Sequence, residues 1–271
     1  MGSETSLGPP TLSYGDFVRD PMMIIPTLNS ESGALLLVDK PYGITSFAMV
    51  YRIRRILTQY CGDKKVKVGH GGTLDPLATG LLILGTRKAT RSLTNLLGLE
   101  KTYWCELRLG ITSPSFDLET PIQILEIPEG LTADKIKNKL LSFLGPQLQR
   151  PPIFSAIKLK GKPMYKHARK GRDIVMPEKS ITIYSIDGIE VDLPFVRFRV
   201  ECSKGTYIRS LVSDLGKTLG TGAVLINLRR EKIGDWSVAD SLTSELITVL
   251  ENQDLRIGQP AIEQLTEVIN L

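Results

Sequence analysis

The sequence predicts an α+β fold organised on a mixed, largely antiparallel sheet flanked by helices and loops. Two observations lead there. Apolar runs and alternating stretches recur along the chain and are separated by Gly- and Pro-containing turns. Helical periodicity enters at irregular intervals among them, with no internal repeat of fixed period.

Taken in order, "GALLLVDKP" at residues 33–41 reads as a buried strand ending in a turn. Thr45 and Ser46 then cap a helix whose apolar positions are Phe47, Val50, Ile53, Leu57 and Tyr60. "KVKVGHGG" is a short strand running into a glycine loop. In "KTYWCELRLG", Tyr103, Cys105, Leu107 and Leu109 alternate with Thr102, Trp104, Glu106 and Arg108, the period-2 mark of a half-buried strand. Residues 134–144 form an amphipathic helix. A basic stretch follows, "QRPPIFSAIKLKGKPMYKHARKGRDIVMP", loop-like at both proline-bearing ends. Strand patterns resume in "ITIYSIDGIEV" and "VRFRVEC", the second placing Val196, Phe198, Val200 and Cys202 on one face. After "SKGTYIRS" a helix runs to about Leu219.

A chain of 271 residues with 42% apolar content can bury a full core. It has no apolar run long enough to span a membrane, and its first thirty residues lack a signal-peptide layout. Those residues carry four prolines and read as a poorly ordered arm. Three cysteines, Cys61, Cys105 and Cys202, lie far apart, which fits reduced thiols in a cytoplasmic protein. With two histidines and no Cys-x-x-Cys, a zinc site is not expected.

The net charge of +5 is unevenly spread. Residues 147–179 hold nine Lys or Arg against two acids, and residues 52–67 six against one. Residues 231–271 reverse the balance, with eight acids against two bases. Two positive segments on one chain suit a polyanion; an ordinary solvated surface is the plainer alternative.

Four groups of residues carry chemistry. "GHGGTLDPLATG" sets Asp75 and His70 among glycines, with Leu74, Pro76, Leu77 and Leu81 as apolar surroundings. A bare Asp-Pro marks a helix or turn start, but a carboxylate in an apolar setting must find a partner or take up a proton. Glycines 69, 71 and 72 leave room for another backbone or a ligand. The loop lacks the lysine of a P-loop and the spacing of a dinucleotide fingerprint. In "CSKGTYIRSL", Tyr207 and Arg209 stand at a strand-to-helix junction, where an Arg can keep a buried carboxylate ionised; a surface Arg beside a packed Tyr is the alternative. Tyr103 opens its strand as a core aromatic or as a ring for a ligand. The basic segment interleaves Phe154 and Tyr165 with Lys158, Lys160, Lys162, Lys166, Arg169, Lys170 and Arg172, charges for phosphates and rings for bases. Neither a hydrolase triad nor a two-metal carboxylate cluster is legible.

Together these segments resemble the TruB family of tRNA pseudouridine synthases. The likeness runs from about Gly33 to about Trp236 through "LLLVDKPYGITS", "GHGGTLDPLATG", "KTY…LRLG", "PPIFSAIKLKGKPMYKHARKG", "CSKGTYIRSLVSDLG" and "GAVLINLRR", in the family's order. It implies the pseudouridine synthase fold over residues 31–240, with a basic RNA-binding insertion at about 147–179. It implies isomerisation of uridine-55 in the tRNA T-loop to pseudouridine, with the base flipped out and no cofactor or metal. By motif match, Asp75 is the essential aspartate, as nucleophile or as base, and Tyr103 lies against the target base. Tyr207 is the second active-site tyrosine and Arg209 the arginine paired with the aspartate. Leu228 lines the pocket, His70 occupies space in the remodelled T-loop, and Asp117 is an acidic residue near the site. Lys158, Lys160, Tyr165 and Arg169 are expected to hold the T-arm of tRNA.

Two departures from the family are visible. The family's acidic, Thr-rich run after the strand reads "ITSPSFDLETP" here, with Asp117 retained. Only 35 residues follow Trp236, too few for a C-terminal PUA domain, so residues 241–271 are expected to form a short acidic helical tail. A cytoplasmic monomer without membrane contact or an obligatory protein partner is the default. Three alternatives stay open: a synthase of this fold acting on another RNA, a non-catalytic RNA-binding protein, and a nucleotide-binding enzyme using the glycine loop.

Overall fold

The computed structural model describes residues 30–62, 65–155 and 176–252, together with three two-residue strands, 17–18, 158–159 and 162–163. In chain order the strands are β1 (Phe17–Val18), β2 (Leu35–Lys40), β3 (Val68–His70), β4 (Ala78–Thr86), β5 (Lys101–Leu109), β6 (Ile111–Thr112) and β7 (Gln123–Ile124). They continue with β8 (Gly145–Gln149), β9 (Lys158–Leu159), β10 (Lys162–Pro163), β11 (Lys179–Asp192), β12 (Phe195–Cys202), β13 (Ala223–Ile233) and β14 (Trp236–Ser237). The helices are α1 (Ser46–Cys61), α2 (Leu93–Leu97), α3 (Ala133–Leu141), α4 (Ile208–Leu219) and α5 (Ser244–Asn252). Two compact units result: Met1–Leu99 with Arg230–Leu271, and Glu100–Arg229.

In the first unit β2 pairs antiparallel with β4, β3 pairs antiparallel with Leu84, Gly85 and Thr86 of β4, and β1 lies parallel beside Leu35 and Leu36. The run "ALLLV" is continuously apolar because both faces of β2 are covered. Leu36 and Val38 pack with Met49, Ile53, Ile56 and Leu57 of α1 and with Ile247 and Leu250 of α5. Leu35 and Leu37 face the other way, onto Leu81, Ile83, Leu93, Leu96, Ile233 and Trp236. The N-cap of α1 is Thr45, whose side chain accepts from the Ala48 N–H at 3.0 Å.

One expectation fails on this helix. Phe47 is 66% exposed rather than part of the apolar stripe. At roughly 100° per residue it stands about 120° from the centre of the stripe made by Met49, Val50, Ile53, Ile56 and Leu57. Residues 244–252 form α5, which docks on α1 through Glu251, 2.7 Å from Arg52 and 3.3 Å from Arg55.

The second unit is an antiparallel β5–β12–β11–β8 sheet. The alternation expected of β5 holds at every position from Lys101 to Leu109. Its buried face meets that of β12, where Val196, Phe198, Val200 and Cys202 are all buried. Helix α3 packs on β11 and α4. Cys105 and Cys202 are buried cysteines in no disulfide, and burial pushes the Cys202 thiol up to about 12, so it stays protonated. The mixed, largely antiparallel sheet with flanking helices is the architecture expected. Lys160, Tyr165 and Arg169 lie outside the described residues, as does most of the expected N-terminal arm.

Candidate active site

Asp75 sits in a turn closed by the Ala78 N–H donating to the Asp75 carbonyl at 3.1 Å. Pro76 takes the second position, which its fixed φ suits, and the chain leaves directly into β4 rather than into a helix. The neighbouring glycines have an internal cause. A Cβ at Gly69 or Gly71 would press on Leu93 or Leu96 of α2, at 3.3 and 3.1 Å, so these two positions are small for packing rather than for a ligand. Gly72 has φ +136, a conformation other residues rarely adopt.

Each residue beside Asp75 is held by a buried side chain from elsewhere in the unit. Ser46 Oγ accepts from the Leu74 N–H at 2.8 Å and donates to the Leu74 carbonyl at 3.0 Å. The Pro76 carbonyl accepts from the Gly43 N–H at 2.9 Å and from Lys40 Nζ at 3.4 Å. Lys40 is fully buried and gives its other ammonium protons to the carbonyls of Ile44 (2.8 Å) and Pro41 (3.0 Å). Burial lowers its pKa to about 8 against the opposing pull of the Asp75 charge, and Arg230 lowers it further. On the other side of the turn, buried Arg230 donates from Nε to Leu81 O (2.7 Å), from Nη2 to Gly72 O (3.1 Å) and from Nη1 to Thr73 O (3.4 Å). His70, half-buried at the end of β3, has its pKa lowered by burial and then by Arg230, so the ring is neutral near pH 7.

In the second unit Arg209 occupies the first turn of α4 and is 3% exposed, which removes the surface-Arg alternative. It donates to the carbonyls of Ser115 and Phe154, both at 3.0 Å, and its Nη1 lies 3.4 Å from Asp117 Oδ2. Asp117 is itself buried. Its Oδ1 accepts from the Glu119 N–H at 2.9 Å, and its carbonyl accepts from Ser113 Oγ (2.6 Å) and Ser115 Oγ (3.2 Å). The serines of "ITSPSFD" therefore tie down the loop, and Phe116 is held at φ +63 within it. Tyr207 is the N-cap of α4; its backbone is clamped at both ends by the Gln149 amide, at 2.8 and 3.1 Å. Tyr103 is buried on β5 and Leu228 on β13. Lys158 lies in β9.

Three residues lie in the family-like segments but are given no role by the sequence reading: Lys40, Ser46 and Arg230. The first two sit in "VDKPYGITS", whose residues taken singly read as a strand end, a turn and a cap. Arg230 does leave a signal, because it shares the inward face of β13 with Leu228, two residues away. Among the described residues no three His, Cys, Asp or Glu side chains gather as a metal-binding group. No helix among them is long and apolar enough to cross a membrane.

Residues 54–208 match the TruB family pseudouridylate synthase (N terminal domain). The tRNA pseudouridine synthase B of Phocaeicola vulgatus is 44% identical over 218 residues, 80% of this chain and 93% of that protein. The chain belongs to the TruB family. A further TruB relative, the tRNA pseudouridine synthase B of Chloroherpeton thalassium, is 46% identical over 215 residues, 78% of this chain and 87% of its own. Among solved structures, a chain of a Cbf5–Nop10–Gar1 complex is similar at TM-score 0.58 and 30% identity over 83% of this chain, which spans 55% of the other. The TruB match includes the braced Asp75 turn, Tyr103 and Asp117, and it ends at Ile208, one residue short of Arg209.

Proposed function

We propose that the protein isomerises uridine in tRNA to pseudouridine, acting on uridine-55 of the T-loop with Asp75 as the essential carboxylate. The observation that carries this reading is 44% identity to a tRNA pseudouridine synthase B across 93% of that protein. The braced Asp75 turn adds to it.

The reaction breaks the C1′–N1 bond, turns the base while it is held, and joins C1′ to C5. C5 loses a proton and N1 gains one, so nothing is oxidised and no group leaves. One carboxylate serves either route, attack on the sugar or base, or proton abstraction from the sugar. A carboxylate on a turn whose neighbours are already hydrogen-bonded needs little reorganisation as charge moves, which lowers the barrier. Tyr103 offers a ring to the flipped uracil and Leu228 an apolar wall. Tyr207 takes up the C5 proton. Arg209 is the family's active-site arginine, fixed by two carbonyls and Asp117. His70 fills space in the opened T-loop, and Lys158, Lys160, Tyr165 and Arg169 hold the T-arm. The protein works as a cytoplasmic monomer without metal or cofactor.

The test is pseudouridine mapping on a T-loop minihelix incubated with wild type and with Asp75→Asn. Wild type should convert the T-loop uridine. The variant should bind the RNA with unchanged affinity and convert none, since the shape is kept and the charge is lost. Appreciable turnover by Asp75→Asn would overturn the assignment.

A further inference from the structure

We infer that Arg230 is a positioning residue for Asp75, setting the place of the carboxylate through the backbone of the turn that carries it; the inference rests on Asp75 acting on the uridine.

Arg230 lies at an inward position of β13, in line with Leu228, where an apolar side chain is the ordinary occupant. It is instead a cation, 2% exposed. Burying a guanidinium costs several kcal/mol, which its hydrogen bonds must offset. All three of its hydrogen bonds go to main-chain carbonyls. Those of Gly72 and Thr73 precede Asp75, and that of Leu81 follows it on β4. A planar fork spanning both sides of a loop fixes the loop's width, which a flexible ammonium cannot do. Gly80 completes the fit: it has φ +100, and a Cβ there would run into the Arg230 carbonyl. Lys40 grips the same turn at Pro76, so the two cations hold opposite flanks of one carboxylate. The charges of Asp75 and Arg230 both act on Lys40, which puts all three groups in one electrostatic neighbourhood.

The experiment uses full-length wild type, Arg230→Met and Arg230→Lys. Single-turnover rate and RNA affinity are measured on the T-loop minihelix, and amide hydrogen exchange on the free proteins. Misplacement of a reacting group by an ångström costs on the order of 100-fold in rate. Arg230→Met should lose about that much, with the RNA Kd within about twofold of wild type and melting still cooperative. Arg230→Lys keeps the charge without the fork and should fall between the two. Exchange at the Leu74 and Ala78 amides should quicken in both variants, while the α4 amides of the other unit keep their protection.

A wild-type rate in Arg230→Met would overturn the inference. So would a rate loss matched by an equal loss of RNA binding and of α4 protection, the mark of a general structural role. The exchange measurement does not depend on catalysis: unchanged Leu74 and Ala78 amides would overturn the bracing role whatever the RNA does. Inactivity of wild type itself, with the exchange result as expected, would count against the tRNA reading and leave the brace standing.

Discussion

Lys40 shows how much the surroundings of a single side chain decide. An ammonium on an exposed loop is a solvated charge; here it is fully buried and satisfied by the carbonyls of Pro41, Ile44 and Pro76. Its pKa in the fold, about 8, lies below the ordinary 10.5, so between these values the unfolded chain binds a proton that the folded chain has shed. Stability contributed by this group therefore rises with pH across that window. Replacing Lys40 by Met removes the titration. The stability difference, wild type minus Lys40→Met, should grow by up to a few kcal/mol from pH 7 to pH 10 in denaturant melts. Equal differences at the two pH values would show that Lys40 does not titrate there. Arg209 carries the same lesson: two residues from Tyr207 in the sequence it also reads as a surface Arg beside a packed Tyr, yet the fold buries it on two carbonyls and Asp117.

At the scale of elements, local periodicity is a good guide wherever one face meets a core. The β5 alternation and the inward set of β12 are what a half-buried sheet dictates. Helix α1 shows the limit, since Phe47 is spaced acceptably for a helix yet points away from the sheet. Helix α4 adds a constraint no propensity reveals. Gly216, inside it, lies so close to Gly222 and Ala223 that a Cβ would run into their backbone. Alanine is the better helix former, yet Gly216→Ala should destabilise the protein by about 1–3 kcal/mol through overpacking. Thermal melting checks this; a higher Tm would mean that the chain after α4 can shift outward without penalty.

Over the whole molecule, charge is sorted by task. Acids near the C-terminus serve the fold, as Glu251 does for Arg52 and Arg55. Within residues 147–179 Arg150 pairs with Glu178 at 3.2 Å, and the remaining excess of positive charge in the sequence suits RNA phosphates. Replacing Lys158, Lys160 and Lys162 together by Gln should weaken minihelix binding and reduce the slope of log K against log salt by roughly 0.7 for each phosphate no longer neutralised. An unchanged slope would make this segment ordinary surface. Many of the elements, most of their inward faces and the family's motifs are legible in the chain's own pattern, because side-chain direction in a strand or helix follows from local backbone geometry. What braces Asp75 is legible only in the folded molecule. Arg230 meets the Leu81 carbonyl across 149 positions of chain, and Lys40 meets Pro76 across 36. A lysine or arginine reads the same in sequence whether water or a buried carbonyl receives its protons; only the packing of distant strands sets which one does.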